Sequence, residues 1–474
     1  MSSSRYLLPR AELLLPAGGA AATLFAAYVS VRMGAQIGFG LALFVSLFVA
    51  LVLGFLVFPH LMFAFTIPLF ALIPAAKLFV TPKLGPLKDL VSVAAILAAA
   101  AVFALERRPG RRRVLPDGKV LLAVAFILGL YFVNVGGGHD IAWAQGVRLT
   151  GEPLLLLVAG FTLTDPRRTL RFAMPALIAT ACFEAFYGLV QQVVGPWALR
   201  GWGYSFASQL RSYNGHLRSF GTMDDSFAYA AFLLFGLAAV LFWMRRGPLA
   251  AACGVLIAGG VLGSFVRTAA LIVVALFGVW IGRKGYTTSA VLFLVAAVAA
   301  AGAILVTSAG ASKTTSYESR TSSLTLNGRT SAWKAALGPP ASWPFGQGVG
   351  KIGTAAERAT YTLAPGANHE APTRAVDSGY LATVADVGLA GVAVLFALFG
   401  RLIALGISAT RRHRDAGWVA LGLLTVLMLD AVTRSSFTGF PTAFLALPLV
   451  GIALAAAKQV DALAERDPTL RVRR

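Results

Sequence analysis

Residues 307–379 read TSAGASKTTSYESRTSSLTLNGRTSAWKAALGPPASWPFGQGVGKIGTAAERATYTLAPGANHEAPTRAVDSG. This is the only long polar stretch in the chain, and apolar runs flank it at Thr288–Val306 and Tyr380–Leu402. An apolar run of about 20 residues is long enough to cross a bilayer as a helix. The pattern therefore predicts a long loop outside the membrane, held between two membrane-spanning helices.

Composition extends this prediction to the whole chain. Of the 474 residues, 57% are hydrophobic and 13% are charged, and the mean hydropathy is +0.75. A soluble domain carries about 25% charged residues, so the chain is predicted to be an all-α polytopic membrane protein. The formal charge of +21 would suit a nucleic-acid partner. Lys and Arg cluster in short loops between apolar runs, however, as in cytoplasmic loops of membrane proteins, so no nucleic-acid partner is expected.

The apolar runs predict about 14 transmembrane helices. They divide the chain into N-terminal helices with short loops (1–306), a long periplasmic loop (307–378), and C-terminal helices with a cytoplasmic tail (379–474). The other runs are Leu13–Val31, Ile37–Phe58, Leu61–Phe79, Leu90–Leu105, Lys119–Val135, a run ending at Leu163, Phe172–Val194, Phe227–Trp243, Leu249–Gly263, Thr268–Ile281, Trp418–Val432 and Phe440–Ala457.

Short basic loops orient the helices. ERRPGRRR at 106–113, DPRRTLR at 165–171, RRHR at 411–414 and RVRR at 471–474 all fall on one side of the predicted membrane. The positive-inside rule makes that side cytoplasmic, with both termini inside and the long loop outside.

Nine arginines break the rule, because the span count places them on the outer side. Arg267 lies in GSFVRTAALIV, in a turn of a few residues between two apolar helices, where an ionisable group indicates a functional role. The alternative is an arginine that extends to lipid headgroups. Arg218, in HLRSFGTMDDS, has either a functional role or a structural one, in which it pairs with Asp224 and Asp225. The full set is Arg200, Arg211, Arg218, Arg267, Arg320, Arg329, Arg358, Arg374 and Arg434.

Arginine suits one class of ligand especially well. Its planar fork binds phosphate or diphosphate oxygens in a bidentate manner and stays charged at any relevant pH. Several arginines at the outer boundary of a bilayer therefore indicate an anionic lipid headgroup, and a lipid-linked diphosphate fits this description.

Two further side chains are candidates for acid–base chemistry. Asp377 begins the helix that follows the loop, and it is either an N-terminal helix acid or a functional carboxylate. His369, in GANHEAP, is either a surface histidine or a functional group if the loop folds inward.

The remaining polar residues in apolar runs have simpler explanations. Asp430 and Arg434 are four residues apart and are predicted to pair on one helix. Glu184 and Gln191 are predicted to make helix–helix hydrogen bonds, with a cavity lining as the alternative.

No metal or cofactor is expected. The two cysteines, Cys182 and Cys253, lie in apolar runs and are predicted to be packing residues. GQGVGK at 346–351 lacks the glycine spacing of a phosphate loop, and no Ser or Thr follows the lysine, so it is not a nucleotide site.

Four stretches in order resemble the O-antigen ligase and polymerase superfamily of bacterial envelope glycan assembly. LRSFGTMDDSFAYAAFLL (217–234) is similar to its Arg-x-x-Gly-Thr element, and LGSFVRTAALIVVALFG (262–278) to its Ser-Arg-Gly turn. NGRTSAWKAALGPPASWPFGQGVGKIG (327–353) resembles its loop segment with a Pro-Phe-Gly-x-Gly-x-Gly ending, and DSGYLATVADVGLAGVAVLF (377–396) resembles the element after the loop. Ligases usually show His-Asn where this chain has Asp377 and Ser378, and an acid there is more similar to the polymerases.

The resemblance implies an all-helical architecture like that of lipid-dependent glycosyltransferases in the bacterial inner membrane. It implies glycan transfer from undecaprenyl diphosphate to the acceptor hydroxyl of another lipid-linked repeat unit, at the periplasmic face, in exopolysaccharide or O-antigen synthesis. No metal or nucleotide takes part. Candidate partners are the lipid-linked donor and acceptor, membrane lipid, a flippase and a chain-length regulator.

Roles follow for the candidate residues under this interpretation. Arg218 and Arg267 would stabilise charge on the leaving diphosphate, and Asp377 would be the general base, with His369 as the alternative. The substrate-binding candidates are Arg320, Arg329 and Arg374. Two other functions stay open: an O-antigen ligase that uses lipid A core as acceptor, and a lipid-linked glycan flippase or transporter.

Overall fold

The computed structural model describes residues 35–81, 84–105, 116–162, 165–204, 210, 212–213, 216–283, 333–356, 359, 376, 378–412 and 414–464. It is 81% helical, and the strands described form one two-stranded hairpin, so the fold is nearly all-α. The helices are α1 (Ala35–Val57), α2 (Pro59–Phe79), α3 (Leu87–Leu105), α4 (Gly118–Val133), α5 (Ile141–Thr162), α6 (Pro166–Gly201), α7 (Ser226–Trp243), α8 (Pro248–Gly263), α9 (Arg267–Gly282), α10 (Gly379–Arg412), α11 (Arg414–Thr433) and α12 (Thr442–Ala464). Strands β1 (Ser212–Tyr213) and β2 (His216–Leu217) pair antiparallel between α6 and α7.

These twelve helices coincide with twelve of the fourteen predicted apolar runs. In the part of the chain that the structure describes, seven helices are long and apolar enough to cross a membrane. They are α2, α3, α6, α7, α10, α11 and α12. Such helices indicate a polytopic membrane protein. The runs Leu13–Val31 and Thr288–Val306 lie outside the described residues, and the total of 14 spans stays a prediction.

Aspartate side chains cap the N-termini of several helices. The Asp117 and Asp165 carboxylates accept from the backbone N–H groups of Lys119 and Arg168 at the starts of α4 and α6. Asp225 caps α7 by accepting from the N–H groups of the second and third residues after it, both at 2.7 Å. A side-chain cap of this kind satisfies donors that the first helical turn leaves unpaired.

Small residues let the central helices approach closely. A Cβ atom on Gly160 of α5 would lie 2.4 Å from the Pro448 carbonyl oxygen, and one on Gly451 of α12 would lie 2.4 Å from the Leu157 carbonyl oxygen. Glycines at such contacts are typical of helix packing in membranes, where close backbone approach replaces the hydrophobic drive available in water. The contact places α12 in the centre of the bundle.

Ion pairs and hydrogen bonds show which helix ends lie together. Arg283 at the end of α9 pairs with Asp415 at the start of α11 at 2.6 Å. Arg401 pairs with Asp117 before α4, also at 2.6 Å. We call this end of the bundle the basic end, because α10 ends and α11 begins there within the basic run RRHR.

The opposite end, which we call the site end, is marked by two other contacts. Lys77 of α2 pairs with Asp224 at 3.6 Å. The Gly379 N–H at the start of α10 donates to the Arg434 carbonyl oxygen at 2.7 Å. The predicted sidedness of the loops therefore agrees with the helix directions, and the assignment of the basic end to the cytoplasm stays a prediction.

Replacing Asp117 by asparagine tests the ion pair at the basic end. The Arg401 guanidinium donates to both carboxylate oxygens, at 3.0 and 2.6 Å, and this hydrogen bonding lowers the pKa of Asp117 to about 2. Asparagine is as good an N-cap as aspartate, so Asp117→Asn keeps the helix cap but removes the negative charge and one of the two oxygens that accept from Arg401. Because Arg401 is 36% exposed, we expect a loss of only about 1 kcal/mol in the free energy of unfolding at pH 7, measured by thermal melting in detergent.

The difference in stability between the wild type and Asp117→Asn should become smaller as the pH falls. A carboxylate whose pKa is lowered by folding stabilises the protein above its unfolded pKa, and that contribution is lost as pH falls through the folded value. The melting temperatures of wild type and Asp117→Asn should converge between about pH 4 and about pH 2. The matched control is Asp165→Asn, whose carboxylate caps α6 through a backbone N–H. A gap between wild type and Asp117→Asn that stays constant over this range would contradict the explanation.

Candidate functional site

One face of α6 is polar at the site end. Glu184, Gly188, Gln191 and Gln192 are spaced at i, i+4, i+7 and i+8, which places them on one side of a helix. Glu184 and Gln191 are fully buried. Polar groups buried at this depth need hydrogen-bond partners, and the non-helical residues 217–225 supply them.

Glu184 binds the backbone and side chain of Thr222. Its Oε2 accepts from the Thr222 N–H at 2.8 Å, and its Oε1 accepts from the Thr222 hydroxyl, which also lies 2.9 Å from the Ala71 carbonyl oxygen of α2. Gly221 has φ +58°, and a Cβ atom there would lie 2.2 Å from Glu184 Oε2. The carboxylate can therefore reach Thr222 only because residue 221 is glycine.

Gln191 uses both ends of its amide on the same segment. Its Oε1 accepts from the N–H groups of Phe220 and Gly221 at 3.1 and 3.0 Å, and its Nε2 donates to the Gly221 carbonyl oxygen at 2.8 Å. Glu184 and Gln191 were predicted to make helix–helix hydrogen bonds, and in the structure they bind the non-helical residues 220–222 instead. Irregular backbone inside a helical membrane protein is tolerated only where protein groups satisfy it, and these side chains do so.

The turn between α8 and α9 contacts this segment directly. The Ser219 N–H donates to the Gly263 carbonyl oxygen at 2.9 Å, and Arg218 Nη2 donates to the Phe265 carbonyl oxygen at 3.1 Å. Phe265 takes a left-handed conformation with φ +49°. We call residues 217–219 and 263–267 the two arginine turns, because they carry Arg218 and Arg267 and are hydrogen-bonded to each other.

The two arginines differ in exposure and setting. Arg218 is half-buried, with its guanidinium 5.0 Å from the centre of the Phe227 ring. Arg267 is exposed and is the first residue of α9. A helix N-terminus carries partial positive charge, which disfavours a cation and favours an anion. The arrangement is therefore electrostatically suited to an anionic ligand.

The acidic residues next to Arg218 have other contacts. Asp225 caps α7, and Asp224 pairs with Lys77 at 3.6 Å. The alternative interpretation of the sequence, in which these carboxylates pair with Arg218, is not what these contacts show.

Part of the long polar stretch lies against a break in α10. The helix is interrupted at Gly388, which has φ +70°. The Leu389 N–H donates to the Trp343 carbonyl oxygen at 2.7 Å, and the Gln347 N–H donates to the Ala385 carbonyl oxygen at 2.7 Å. Residues 343–351, which we call the docked segment, thus satisfy backbone groups that the break leaves unpaired.

The docked segment also binds the turn between α4 and α5. Asn134 Oδ1 accepts from the Val349 N–H at 2.7 Å, and Lys351 Nζ donates to the Gly136 carbonyl oxygen at 2.7 Å. Gly348, with φ +112°, would place a Cβ atom 2.7 Å from backbone atoms of Gly137. The glycines of GQGVG are therefore needed for close backbone approach.

Asp386 was missed by the sequence analysis. It is buried about two turns into α10, accepts from the Tyr131 hydroxyl at 3.2 Å, and lies 3.3 Å from the Gly350 backbone nitrogen. An aspartate two residues before a glycine inside a long apolar run was the available signal. It joins α4, α10 and the docked segment.

The end of α11 lies beside the start of α10. Asp430 and Arg434 form the predicted i,i+4 pair at 3.5 Å, and the Ser436 hydroxyl also donates to Asp430. The Ser435 hydroxyl donates to the Val376 carbonyl oxygen at 2.6 Å. The pairing of Asp430 with Arg434 is confirmed.

A second buried charged group joins α3 and α5. Lys88 pairs with its neighbour Asp89, and Arg148 pairs with Asp89 at 3.2 Å. Glu152, in the middle of α5, is buried beside them. Because two cations accompany two acids, this group offers less net positive charge to an anion than the arginine turns do.

Five predicted site residues lie outside the described residues: Arg320, Arg329, His369, Arg374 and Asp377. Arg218 and Arg267 are described, and the structure brings their turns together. Cys182 and Cys253 are both free thiols. Among the described residues, no group of three or more His, Cys, Asp and Glu side chains is placed to hold a metal ion.

Fold and site together define a helical membrane protein with a polar, arginine-bearing surface at one end of the bundle. The chain matches no protein-family model, and a comparison with curated proteins finds no match. Its function is therefore argued from the residues themselves.

Proposed function

We propose that the protein is a glycan polymerase of the bacterial inner membrane. It transfers glycan from undecaprenyl diphosphate to the acceptor hydroxyl of another lipid-linked repeat unit at the periplasmic face. The observation that carries this proposal is the hydrogen-bonded pair of arginine turns at the site end, with Arg218 half-buried and Arg267 exposed at the start of a helix.

The chemistry requires an anion site of this kind. The acceptor oxygen attacks the anomeric carbon, the bond from that carbon to the diphosphate oxygen breaks, and the undecaprenyl diphosphate leaves with its electron pair. Positively charged, preorganised donors stabilise the negative charge that develops on the leaving group. Arg218 and Arg267 supply such donors, while the docked segment, which is part of the polar stretch, binds the same end of the bundle.

A general base must take the acceptor proton. Asp377 remains the sequence-based candidate for this role, with His369 as the alternative, and both lie outside the described residues. Arg329 and Arg374 remain candidates for binding the second diphosphate or for orienting Asp377, and Arg320 remains a candidate for substrate binding.

Two other functions are weighed against this one. A ligase performs the same transfer with lipid A core as acceptor, and Asp377 at the place of the usual His-Asn favours the polymerase. A flippase tends to place charged groups at the bilayer midplane between repeated halves. The location of Arg218 and Arg267 in turns at the site end favours an enzyme.

The product formed from a lipid-linked repeat unit tests the proposal. The purified full chain in proteoliposomes is supplied with undecaprenyl-diphosphate-linked glycan extracted from cells that lack the gene, with EDTA and without nucleotide. We expect a ladder of longer glycans on gels. Single units that only change leaflet would indicate a transporter, and products that appear only after lipid A core is added would indicate a ligase.

A further inference from the structure

Gln192 lies at the junction of the two arginine turns. Its Nε2 is 2.6 Å from the Leu217 carbonyl oxygen and 2.8 Å from Ser219 Oγ, and these two residues flank Arg218. The same nitrogen is 2.9 Å from the Gly263 carbonyl oxygen, in the turn that carries Arg267. One amide nitrogen therefore contacts both arginine turns.

The orientation of this amide follows from its partners. Carbonyl oxygens only accept hydrogen bonds, so the NH₂ group of Gln192, and not its oxygen, faces Leu217 and Gly263. A side chain of the same size without donors cannot replace it. Glutamate at this position would turn an oxygen towards two carbonyl oxygens.

The neighbouring Gln191 makes a different set of contacts. Its hydrogen bonds go to Phe220 and Gly221. It therefore holds the residues that follow the first arginine turn, whereas Gln192 contacts both turns. This difference provides a matched control on the next residue of the same helix.

We propose that Gln192 is a positioning residue that sets the placement of Arg218 relative to Arg267, and thereby the fit of the site to a diphosphate. This inference rests on the proposed function, because it takes a lipid-linked diphosphate as the ligand. Gln192 acts through the backbone: it holds Leu217 and Ser219 on either side of Arg218, and Gly263 four residues before Arg267. Two bidentate forks can bind one diphosphate together only at a particular separation, and misplacement by about 1 Å at such a site can cost about 100-fold in rate.

A double-mutant cycle tests the coupling. The probe is undecaprenyl diphosphate, and its dissociation constant is measured for the purified full chain in lipid nanodiscs. Gln192→Met and Gln192→Glu are each made in the wild type and in Arg267→Ala. We expect Gln192→Met to weaken binding about tenfold in the wild type, because residues that act through each other show coupling of this size. In Arg267→Ala the same change should weaken binding less than about twofold, since the second fork is already absent.

Gln191→Met is the control. It should lower the melting temperature and weaken binding by the same factor in both backgrounds, because its hydrogen bonds go to Phe220 and Gly221, outside both arginine turns. If Gln192→Met does not accumulate, Gln192→Asn, which keeps the amide and shortens the side chain, is used with the same expected pattern.

Four results would overturn the inference, and the first two of them leave the proposed function standing. Equal factors for Gln192→Met in both backgrounds, or wild-type affinity of Gln192→Met and Gln192→Glu, would overturn the positioning role and leave the proposed function standing. Wild-type affinity of Arg267→Ala, or equal affinity of the wild type for undecaprenol, would overturn the proposed function and this inference with it.

Discussion

Replacing Arg267 by alanine is expected to lower the initial rate of glycan transfer by about 100- to 1000-fold, the usual cost of removing one preorganised donor to a developing anion. Arg267 is exposed at the first position of α9, so truncating it removes no packed core side chain. The melting temperature should therefore stay close to that of the wild type, while the transfer rate falls. The rate is measured with the extracted lipid-linked glycan in proteoliposomes.

Arg267→Lys separates charge from geometry at this position. Lysine keeps the positive charge but not the planar fork that binds phosphate oxygens in pairs. We expect a rate between those of the wild type and Arg267→Ala, about tenfold below the wild type.

A matched control for both variants is Arg246→Ala. Arg246 is also exposed near a helix end, with its guanidinium 5.6 Å from the centre of the Trp280 ring at the basic end. It carries the same charge on the opposite side of the bundle, so its replacement should leave the transfer rate unchanged. A loss of rate as large in Arg246→Ala as in Arg267→Ala would show that net charge, and not the arginine turns, is responsible.

The helices and the two arginines could be predicted from the sequence for a simple reason. An apolar run of about 20 residues has few alternatives to a spanning helix. Once the runs are counted, Arg267 is identified as a candidate by its location alone, because it lies in a turn on the outer side of the predicted membrane.

The groups that hold the site together could not be predicted in the same way. Gln192 follows Gln191 in one helix, and only the positions of residues 217–219 and 263 show that the two amides have different partners. Gly388 likewise lies in an apolar run where an isolated glycine is compatible with a continuous helix. Its break is filled by residues about 40 positions earlier in the chain, which no local pattern in α10 reveals.

Replacing Gly388 by alanine is expected to separate the docked segment from α10. A Cβ atom at this position would lie 2.5 Å from Gly346 N, Phe345 N and Pro344 C, all of them backbone atoms that have no rotamer to change. Gly388 also has φ +70° and ψ −166°, a backbone region that essentially only glycine occupies, where a residue with a side chain costs about 1–3 kcal/mol. Together with overpacking of about 1–3 kcal/mol, the change should lower the melting temperature by several degrees.

Trypsin provides a direct measurement of this separation. Lys351 lies in the docked segment and donates to the Gly136 carbonyl oxygen. Trypsin should therefore cleave after Lys351 only slowly in the wild type. We expect much faster cleavage at this residue in Gly388→Ala. The rate of cleavage is measured by mass spectrometry of the fragments. Gly400→Ala is the control in the same helix, because no heavy atom lies within 4 Å of a Cβ atom there. Trypsin should cleave Gly400→Ala at the same rate as the wild type, and this variant should melt at the same or a higher temperature.

Gly388→Ala also distinguishes a role of the docked segment in the transfer step from a role in binding the diphosphate. If the docked segment serves the transfer step, Gly388→Ala should lose transfer activity while its affinity for undecaprenyl diphosphate stays near that of the wild type. This is expected because the hydrogen bonds that hold the two arginine turns come from Gln192 of α6 and from the turns themselves. A parallel loss of affinity would instead make the docked segment part of the diphosphate site. Wild-type cleavage and melting would show that α10 accommodates the extra methyl group, against the geometry of the break.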